Sequence, residues 1–521
     1  MLSDLSLRTL AAVLPMGVLA GGTILLLLGD LFSSWFPTAP WFRRGFSRAL
    51  WCMTICICAW VLALPSGILG QIAQTSPDKP LAYLRGSRYV DSFSLVFVSL
   101  ILASAVLYFL LSGYSSRCAG GTFRGITANS DVDALVMLAV IGAIAFVQAG
   151  DLAALFIGLE LMSISTYVLA GTARSEKASA EAALKYFILG AFSSAFFLYG
   201  IALVYGATGT LQLSELSSFK SGANSFGPFD GSGMMPLGIG LMLLGFAFKL
   251  GAFPVHSWVP DVYQGSPTTI TVFMATVVKI ATVGAMLRVL NVAFLDYRDL
   301  WTNAILVIAV GSMIVGNLGA LRQTSLKRLL AYSSIAHGGY LLMGLAALGT
   351  SEGGEAMIFY TLVYSLMTIV TFGTLLLVTG NSEWQYERDD LKQFAGFGWS
   401  SPLLALVLAI GLFSLAGLPP FAGFLAKFYI FKAVVAEGYY ALAIIAALNS
   451  FVSLYYYLRV IVVMYFGESS SAHSEQCAAE ADSQPGWGGA FAVAACALLL
   501  VVLGVWSGQL LQYVNVAMHS L

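Results

Sequence analysis

Five ionisable side chains lie inside apolar runs of this chain: Glu160, Lys185, Lys249, Lys279 and Lys427. Two histidines, His256 and His337, stand near breaks or ends of such runs. A charge at mid-bilayer costs about 2.5–3.5 kcal/mol on insertion scales, so charges retained there point to function. Burial disfavours the charged form and a nearby opposite charge restores it. A lysine held between those influences loads and releases a proton as its partner moves. A row of them, linked by water and histidine, suits passage of protons across a membrane. Glu160, in F-I-G-L-E-L-M-S-I-S, is too deep to reach either surface. Lys185 is nearer its helix start and can extend toward the interface, as can Lys432. His256 is either a proton site or a donor to carbonyls freed by Pro254 and Pro260, and His337, in Y-S-S-I-A-H-G-G-Y, is equally open. Asp261 and Tyr263 read as loop closure.

The stretch Phe246–Pro267 gathers several of these groups, reading F-A-F-K-L-G-A-F-P-V-H-S-W-V-P-D-V-Y-Q-G-S-P. An apolar helix carrying Lys249 runs into Gly251 and Pro254. Proline has no N–H, so Pro254 is expected to leave the Leu250 carbonyl without its helical donor and to break the helix. Within a bilayer, free backbone groups survive only where protein or a water-filled cavity receives them. Lys249 therefore faces the interior rather than lipid.

Composition sets the solvent. Of 521 residues 59% are hydrophobic and 10% are charged, with a formal net charge of −1. Soluble domains carry about 25% charged residues, so the chain reads as an integral membrane protein. No basic excess invites nucleic acid. Cys52, Cys56 and Cys58 lie in an apolar run without His or carboxylate companions, and Cys118, Cys477 and Cys496 are scattered, so neither a metal site nor a disulfide framework is expected. Neither a Walker A loop nor a strand-borne G-x-G-x-x-G occurs.

Runs of about 20 apolar residues give the elements that must position the charges. An all-α protein of about fourteen spans is expected: 10–32, 48–70, 91–112, 131–149, 151–171, 179–206, 236–259, 268–292, 300–320, 327–349, 355–379, 400–436, 438–466 and 489–513. The first is read as a retained helix, longer than a signal-peptide core. The segment 400–436 contains Gly417-Leu418-Pro419-Pro420 and reads as a broken helix. Segments 213–234, 381–398 and 467–488 are polar loops, the last a flexible linker. Basic residues concentrate in one set of short loops (Arg43, Arg44, Arg117, Arg174, Arg322, Lys327, Arg328 and Arg388 among them), which places both termini on the outer, positive side.

Self-similarity appears at an offset of 174 residues. Glu181-Ala182-x-x-x-Tyr186 recurs as Glu355-Ala356-x-x-x-Tyr360, and Leu152 and Leu155 meet Leu326 and Leu329. Pro254 and Pro419 fall at matching places, nine residues short of that spacing. The expected organisation is three N-terminal spans in 1–130, a five-helix unit in 131–292, a second in 300–466, and a polar loop with a last span in 467–521. An odd number of crossings inverts the second unit relative to the first, each with one discontinuous helix. Aligning Pro254 with Pro419 sets Ser414 opposite Lys249, so the lysine is not duplicated in place.

These residues give the chain a family likeness. With Glu160, Lys249, the P-V-H-S-W-V-P-D-V-Y-Q-G-S-P signature, Lys279 and Lys427, it resembles the antiporter-like membrane subunits of respiratory complex I and the related Mrp-type cation/proton antiporters, over about 90–466. The eighth span, P-T-T-I-T-V-F-M-A-T-V-V-K-I-A, carries lysine as the N type does, where the L and M types usually carry histidine. The resemblance implies one proton path. In it Glu160 and Lys249 form a charge pair modulated by Lys185, Lys279 is the central relay, Lys427 is the gate toward the outer side, and His256 and His337 are further candidates. It also implies that NADH, FMN, iron–sulfur clusters and quinone belong to other subunits, with no cofactor or metal here. The expected partners are an M-type subunit, small K-, J- and A-type subunits and the lipid of a bacterial inner membrane. An Mrp-like Na⁺/H⁺ antiporter subunit and a purely structural scaffold are the competing readings.

Overall fold

Local sequence decides where the helices begin. Asp91 Oδ1 accepts the Ser94 N–H at 2.7 Å while Ser94 Oγ accepts the Asp91 N–H at 3.1 Å, a reciprocal cap that starts α1 (Ser92–Cys118). Asp151 caps α3 (Leu152–Ala170) through Ala154, and Ser325 caps α9 (Leu326–Ala346) through Arg328. The remaining helices are α2 (Ser130–Val147), α4 (Lys177–Thr208), α5 (Met234–Leu250), the short α6 (Trp258–Gly265), α7 (Thr268–Ala293) and α8 (Arg298–Leu321). They continue with α10 (Ser351–Thr379), α11 (Pro402–Ala416), α12 (Ala422–Ala436), α13 (Tyr440–Phe466), α14 (Trp487–Val505) and α15 (Gly508–His519). This computed structural model describes residues 16–25, 81–83, 87–118, 130–173, 176–217, 233–349, 351–379, 389–467, 487–519 and 521. Among them, nine helices are long and apolar enough to cross a membrane, and one small antiparallel hairpin pairs Leu81–Tyr83 with Arg88–Val90. The protein is an all-α, multi-pass integral membrane protein.

Burial separates inner from outer helices. Helices α7 and α9 are enclosed along nearly all of their length, whereas α4 and α13 expose long apolar faces that include Phe192, Tyr199, Phe451 and Tyr455. Two short π turns interrupt α7, at Met274–Val278 and Val289–Ala293. In and just after the first, threonine hydroxyls bond to helix carbonyls, Thr276 to Val272 O at 2.7 Å and Thr282 to Val278 O at 2.7 Å. Lys279 follows this turn directly, and π turns recur at functional positions in helices.

Both expected breaks are present and are built alike. Gly251 (φ 70°) ends α5, and Gly417 (φ 84°) ends α11, a left-handed conformation that suits glycine. In each, the residue after the glycine donates back to the helix: Ala252 to Ala247 O at 2.7 Å, Leu418 to Phe413 O at 3.1 Å. The first break therefore begins at Gly251 rather than at Pro254, because a positive-φ cap ends a helix before proline is reached. The capped loops before α3 and α9 also match. Asp151 bridges Gln212, and Ser325 bridges Asp390. At the same offset of 174, a Cβ on Gly142 would lie 2.4 Å from Met162 N, and one on Gly316 would lie 2.5 Å from Ala336 N.

Three expectations need correction or fall elsewhere. The last span is not continuous over 489–513: α14 ends at Val505, and α15 starts afresh after Trp506 and Ser507. The polar segments at 213–234 and 381–398 are not loop throughout, since Leu213–Leu216, Leu391–Phe394 and Phe397–Ser400 are short helical turns. The span at 48–70, most of 10–32, the linker at 468–486 and Cys52, Cys56, Cys58 and Cys477 lie outside the described residues, while Cys496 is buried and free. Among the described residues, no cluster of His, Cys, Asp and Glu could hold a metal.

A buried ion pair that the sequence reading passed over ties the inner helix to its neighbours. Arg288, on α7, donates to both carboxylate oxygens of Asp91 (2.9 and 2.8 Å) and to Val147 O at the end of α2 (3.0 Å). Both side chains are almost fully enclosed. Removing one member of such a pair costs about 3–5 kcal/mol because the other charge is stranded. Arg288→Met is expected to destabilise the detergent-solubilised protein by that amount in unfolding measurements, and Arg288→Met combined with Asp91→Leu to recover most of it.

Candidate functional site

Three of the lysines singled out in the sequence are enclosed by the helices. Lys249 is 3% exposed, Lys279 2% and Lys427 5%. Each reaches a different kind of partner.

Lys249, in the last turn of α5, donates to Tyr167 Oη on α3 at 3.1 Å. The rings of Tyr167, Tyr186 and Phe248 lie 4.9, 5.7 and 5.6 Å from its nitrogen, so the ammonium is held by one hydroxyl and three aromatic faces. Glu160 is within electrostatic range of Lys249, but the two are not bonded, and the buried Oε1 of Glu160 has no hydrogen-bond partner. The direct pair implied by the resemblance is thus not closed in this arrangement, because Tyr167, two helical turns beyond Glu160 on α3, takes the ammonium.

Lys279 lies at the centre, where α7, α9 and α10 meet. It donates to Ser334 O at 2.8 Å, Ser334 Oγ at 2.5 Å and Tyr364 Oη at 3.4 Å, with the Tyr364 ring 4.9 Å away. Tyr364 in turn donates to Ser334 Oγ at 2.9 Å. One turn along α9, His337 bonds through Nδ1 to Tyr360 Oη at 2.7 Å and through Nε2 to Tyr457 Oη at 3.2 Å. Tyr457 also bonds to Ser333.

Lys427, on α12, satisfies the break that precedes it. Its three donors go to Leu415 O, Ala416 O and Ser450 Oγ, each at 3.0 Å. The carbonyls at a helix C-terminus carry partial negative charge, so the cation stabilises the end of α11. The Tyr340 ring lies 5.1 Å from its nitrogen and 5.8 Å from the His337 ring, while the Tyr364 ring lies 5.4 Å from His337 and 4.9 Å from Lys279 Nζ. A chain of aromatic contacts therefore runs from Lys279 through Tyr364, His337 and Tyr340 to Lys427.

Lys185 and His256 stand apart from this row. Lys185 pairs with Glu181 Oε1 and Asp261 Oδ2, both at 2.7 Å, and its side chain is 41% exposed. It does not reach Lys249. His256 stacks on Phe253 at 6.0 Å in the α5–α6 loop, and its Nδ1 has no hydrogen-bond partner. Sequence reading missed Tyr167, Ser334, Tyr360, Tyr364 and Tyr457. The spacing of Ser333, Ser334 and His337 on one face, and of Tyr360 and Tyr364 one turn apart, was the available signal. It also took Lys327 for a loop residue, whereas its buried side chain donates to Gln264 O at 3.2 Å and Ser266 O at 2.6 Å.

A discontinuous α5–α6 helix, a second broken helix and lysines enclosed between them define a membrane subunit of the antiporter-like class. The transmembrane family described as NADH:quinone oxidoreductase/Mrp antiporter matches residues 149–453. NADH-quinone oxidoreductase subunit N of Trichlorobacter lovleyi is 41% identical over 365 residues, which is 70% of this chain and 72% of that protein. A chain in the structure of respiratory complex I from Thermus thermophilus is 33% identical, with a TM-score of 0.73 over 96% of this chain and 98% of that one. A chain of the Mrp complex from Dietzia shares the fold, at 20% identity and a TM-score of 0.78 over 99% of this chain and 97% of that one. The chain belongs to this family, and within it to the N-type subunits of NADH-quinone oxidoreductase, or complex I.

The geometry around Lys427 yields a direct test. A buried carbonyl left without a donor costs about 1–3 kcal/mol. Lys427→Met should therefore loosen the second break, seen as faster amide hydrogen exchange across 413–424, while Lys427→Arg keeps a cation at Leu415 O and Ala416 O and changes exchange less.

Proposed function

We propose that the chain translocates protons within complex I, along a row formed by Glu160, Lys249, Lys279, His337 and Lys427. The observation that carries this reading is the arrangement in which His337 and its tyrosines stand between two enclosed ammonium groups, Lys279 and Lys427. A hydroxyl can accept from the ammonium and donate to the neutral amine, so a lysine beside Tyr167, Ser334, Tyr364 or Ser450 keeps a hydrogen bond in both protonation states. Solvent and small rotations of Tyr364 and Tyr340 would close the remaining gaps. Tyr167 would share the Lys249 ammonium with Glu160: when Lys249 turns from one to the other, its charge is more or less favoured, and the proton moves on. Electron transfer, and with it NADH, FMN, iron–sulfur clusters and quinone, is assigned to other subunits. Lys185 and His256 remain candidate members, Lys185 by modulating the surroundings of the path.

We infer about fourteen spans, with two five-helix units at 131–292 and 300–466 in opposite orientation. The matching caps at Asp151 and Ser325, the matching close approaches at Gly142 and Gly316, and the like-built breaks at Gly251 and Gly417 support this. The segment 1–130 would add three spans, and 467–521 a loop and a closing helix. With the basic loops toward the cytoplasm, both termini lie on the periplasmic side of a bacterial inner membrane. An M-type antiporter-like subunit, small K-, J- and A-type subunits and lipid would cover the apolar faces of α4 and α13.

Proton transfer by a positioned side chain contributes about 10²–10⁴-fold to rate. Lys249→Ala or Lys279→Ala, in an assembled complex, should lower the protons moved per NADH oxidised in membrane vesicles at least twofold. A normal ratio in Lys249→Ala with the complex intact would sink the reading. Loss of sodium resistance with normal NADH-linked pumping would instead favour a subunit of the Mrp antiporter kind.

A further inference from the structure

Helix α6 has eight residues, too few to be stable alone, yet it lies between two of the lysine sites. At its start Trp258 stacks on Tyr186 with ring centroids 4.5 Å apart, and the Tyr186 ring is 5.7 Å from Lys249 Nζ. The Trp258 indole also donates to Phe248 O, beside Lys249, at 3.1 Å. Near its other end Tyr263 neighbours Ser334 and Tyr364, the two residues that hold Lys279. A small movement of α6 would therefore be felt at both lysines.

What keeps α6 in place is a set of cations gathered from Asp261 in its first turn to its C-terminal end. Asp261 Oδ2 accepts from Lys185 on α4 at 2.7 Å, and Asp261 Oδ1 accepts from Arg328 on α9 at 2.8 Å. Arg328 also donates to Gln264 Oε1 at 3.0 Å, and Lys327 donates to Gln264 O and Ser266 O, the carbonyls that end the helix. A Cβ on Gly265 would lie 2.6 Å from Ala178 O, so α6 sits close against the first turn of α4. The two kinds of tie differ in permanence. Lys327 is buried, whereas Lys185, Asp261 and Arg328 are about a third exposed or more, and exposed pairs break and re-form readily.

We propose that Asp261 is a positioning residue for proton transfer: its bonds to Lys185 and Arg328 set the seat of α6, and through Trp258 and Tyr263 the geometry of the Lys249 and Lys279 sites. Lys185 then acts as part of this clamp rather than as a member of the path. The proposal rests on the lysine path described above. It is tested in the purified, assembled complex by amide hydrogen exchange over 258–266, together with the protons moved per NADH oxidised in vesicles. Asp261→Asn should speed exchange in that segment about threefold or more and lower the pumping ratio, and Asp261→Glu should restore both. Unchanged exchange in Asp261→Asn overturns the clamp, and faster exchange with a normal ratio overturns the positioning role. Arg328→Gln, which removes one of the two bonds, carries the same test if Asp261→Asn does not assemble. Lys249→Ala serves as the separate control: a normal ratio there, with exchange over 258–266 sped by Asp261→Asn, overturns the path and leaves the clamp standing.

Discussion

A backbone carbonyl without a donor and an ammonium without an acceptor are each costly in hydrocarbon, and in this protein they meet. Lys427 donates to the two carbonyls released at the end of α11. Lys327 does the same for the carbonyls that end α6, and Lys279 takes the Ser334 carbonyl on α9. Lys427 and Lys327 each solve a hydrogen-bonding problem that a helix end creates, and Lys279 adds a bond to a carbonyl in mid-helix. Lys249 is the exception. At its own break Gly251 and the Trp258 indole donate to Phe248 O and Ala252 donates to Ala247 O, while its ammonium turns to Tyr167 and to aromatic faces. With one hydroxyl partner it is the least firmly fixed of Lys249, Lys279 and Lys427, and it is the one within electrostatic range of Glu160.

Enclosure of α7 follows from the same constraint. A helix that carries Lys279 and Arg288 cannot face lipid, and here every side of it is covered. Arg288 is bonded to Asp91 and Val147 at one end of the helix, while Lys279 follows a π turn nearer its middle. The end is anchored and the middle is locally rewound, an arrangement that lets the centre adjust without displacing the helix.

The two ion-pair systems differ in the way their surroundings predict. Arg288 and Asp91 are almost wholly buried, so separating them strands a charge, and the pair behaves as a permanent strut. Lys185, Asp261 and Arg328 border solvent, where separation is cheap. Stability is thus concentrated on α7, and adjustability on α6, which borders the lysine sites.

Much of this was legible in sequence. Twenty-residue apolar runs located most of the described helices, because a bilayer demands that length. Glu160, Lys249, Lys279 and Lys427 stood out because charge is so rare in such runs, and Pro254 and Pro419 pointed to both breaks, which begin at Gly251 and Gly417. The partners of those charges were not legible. Tyr167, Ser334, Tyr360, Tyr364 and Tyr457 are ordinary residues for an apolar helix, and only packing brings α3 to α5, or α10 and α13 to His337. The same holds for Asp261, which looked like loop closure until α4 and α9 brought Lys185 and Arg328 to it. Sequence by itself determined which groups must be kept from lipid, since that depends on residue type and on run length. Tertiary structure decided which acceptor each group finds, since hydrogen bonds between helices depend on distances of about 3 Å that no linear spacing encodes.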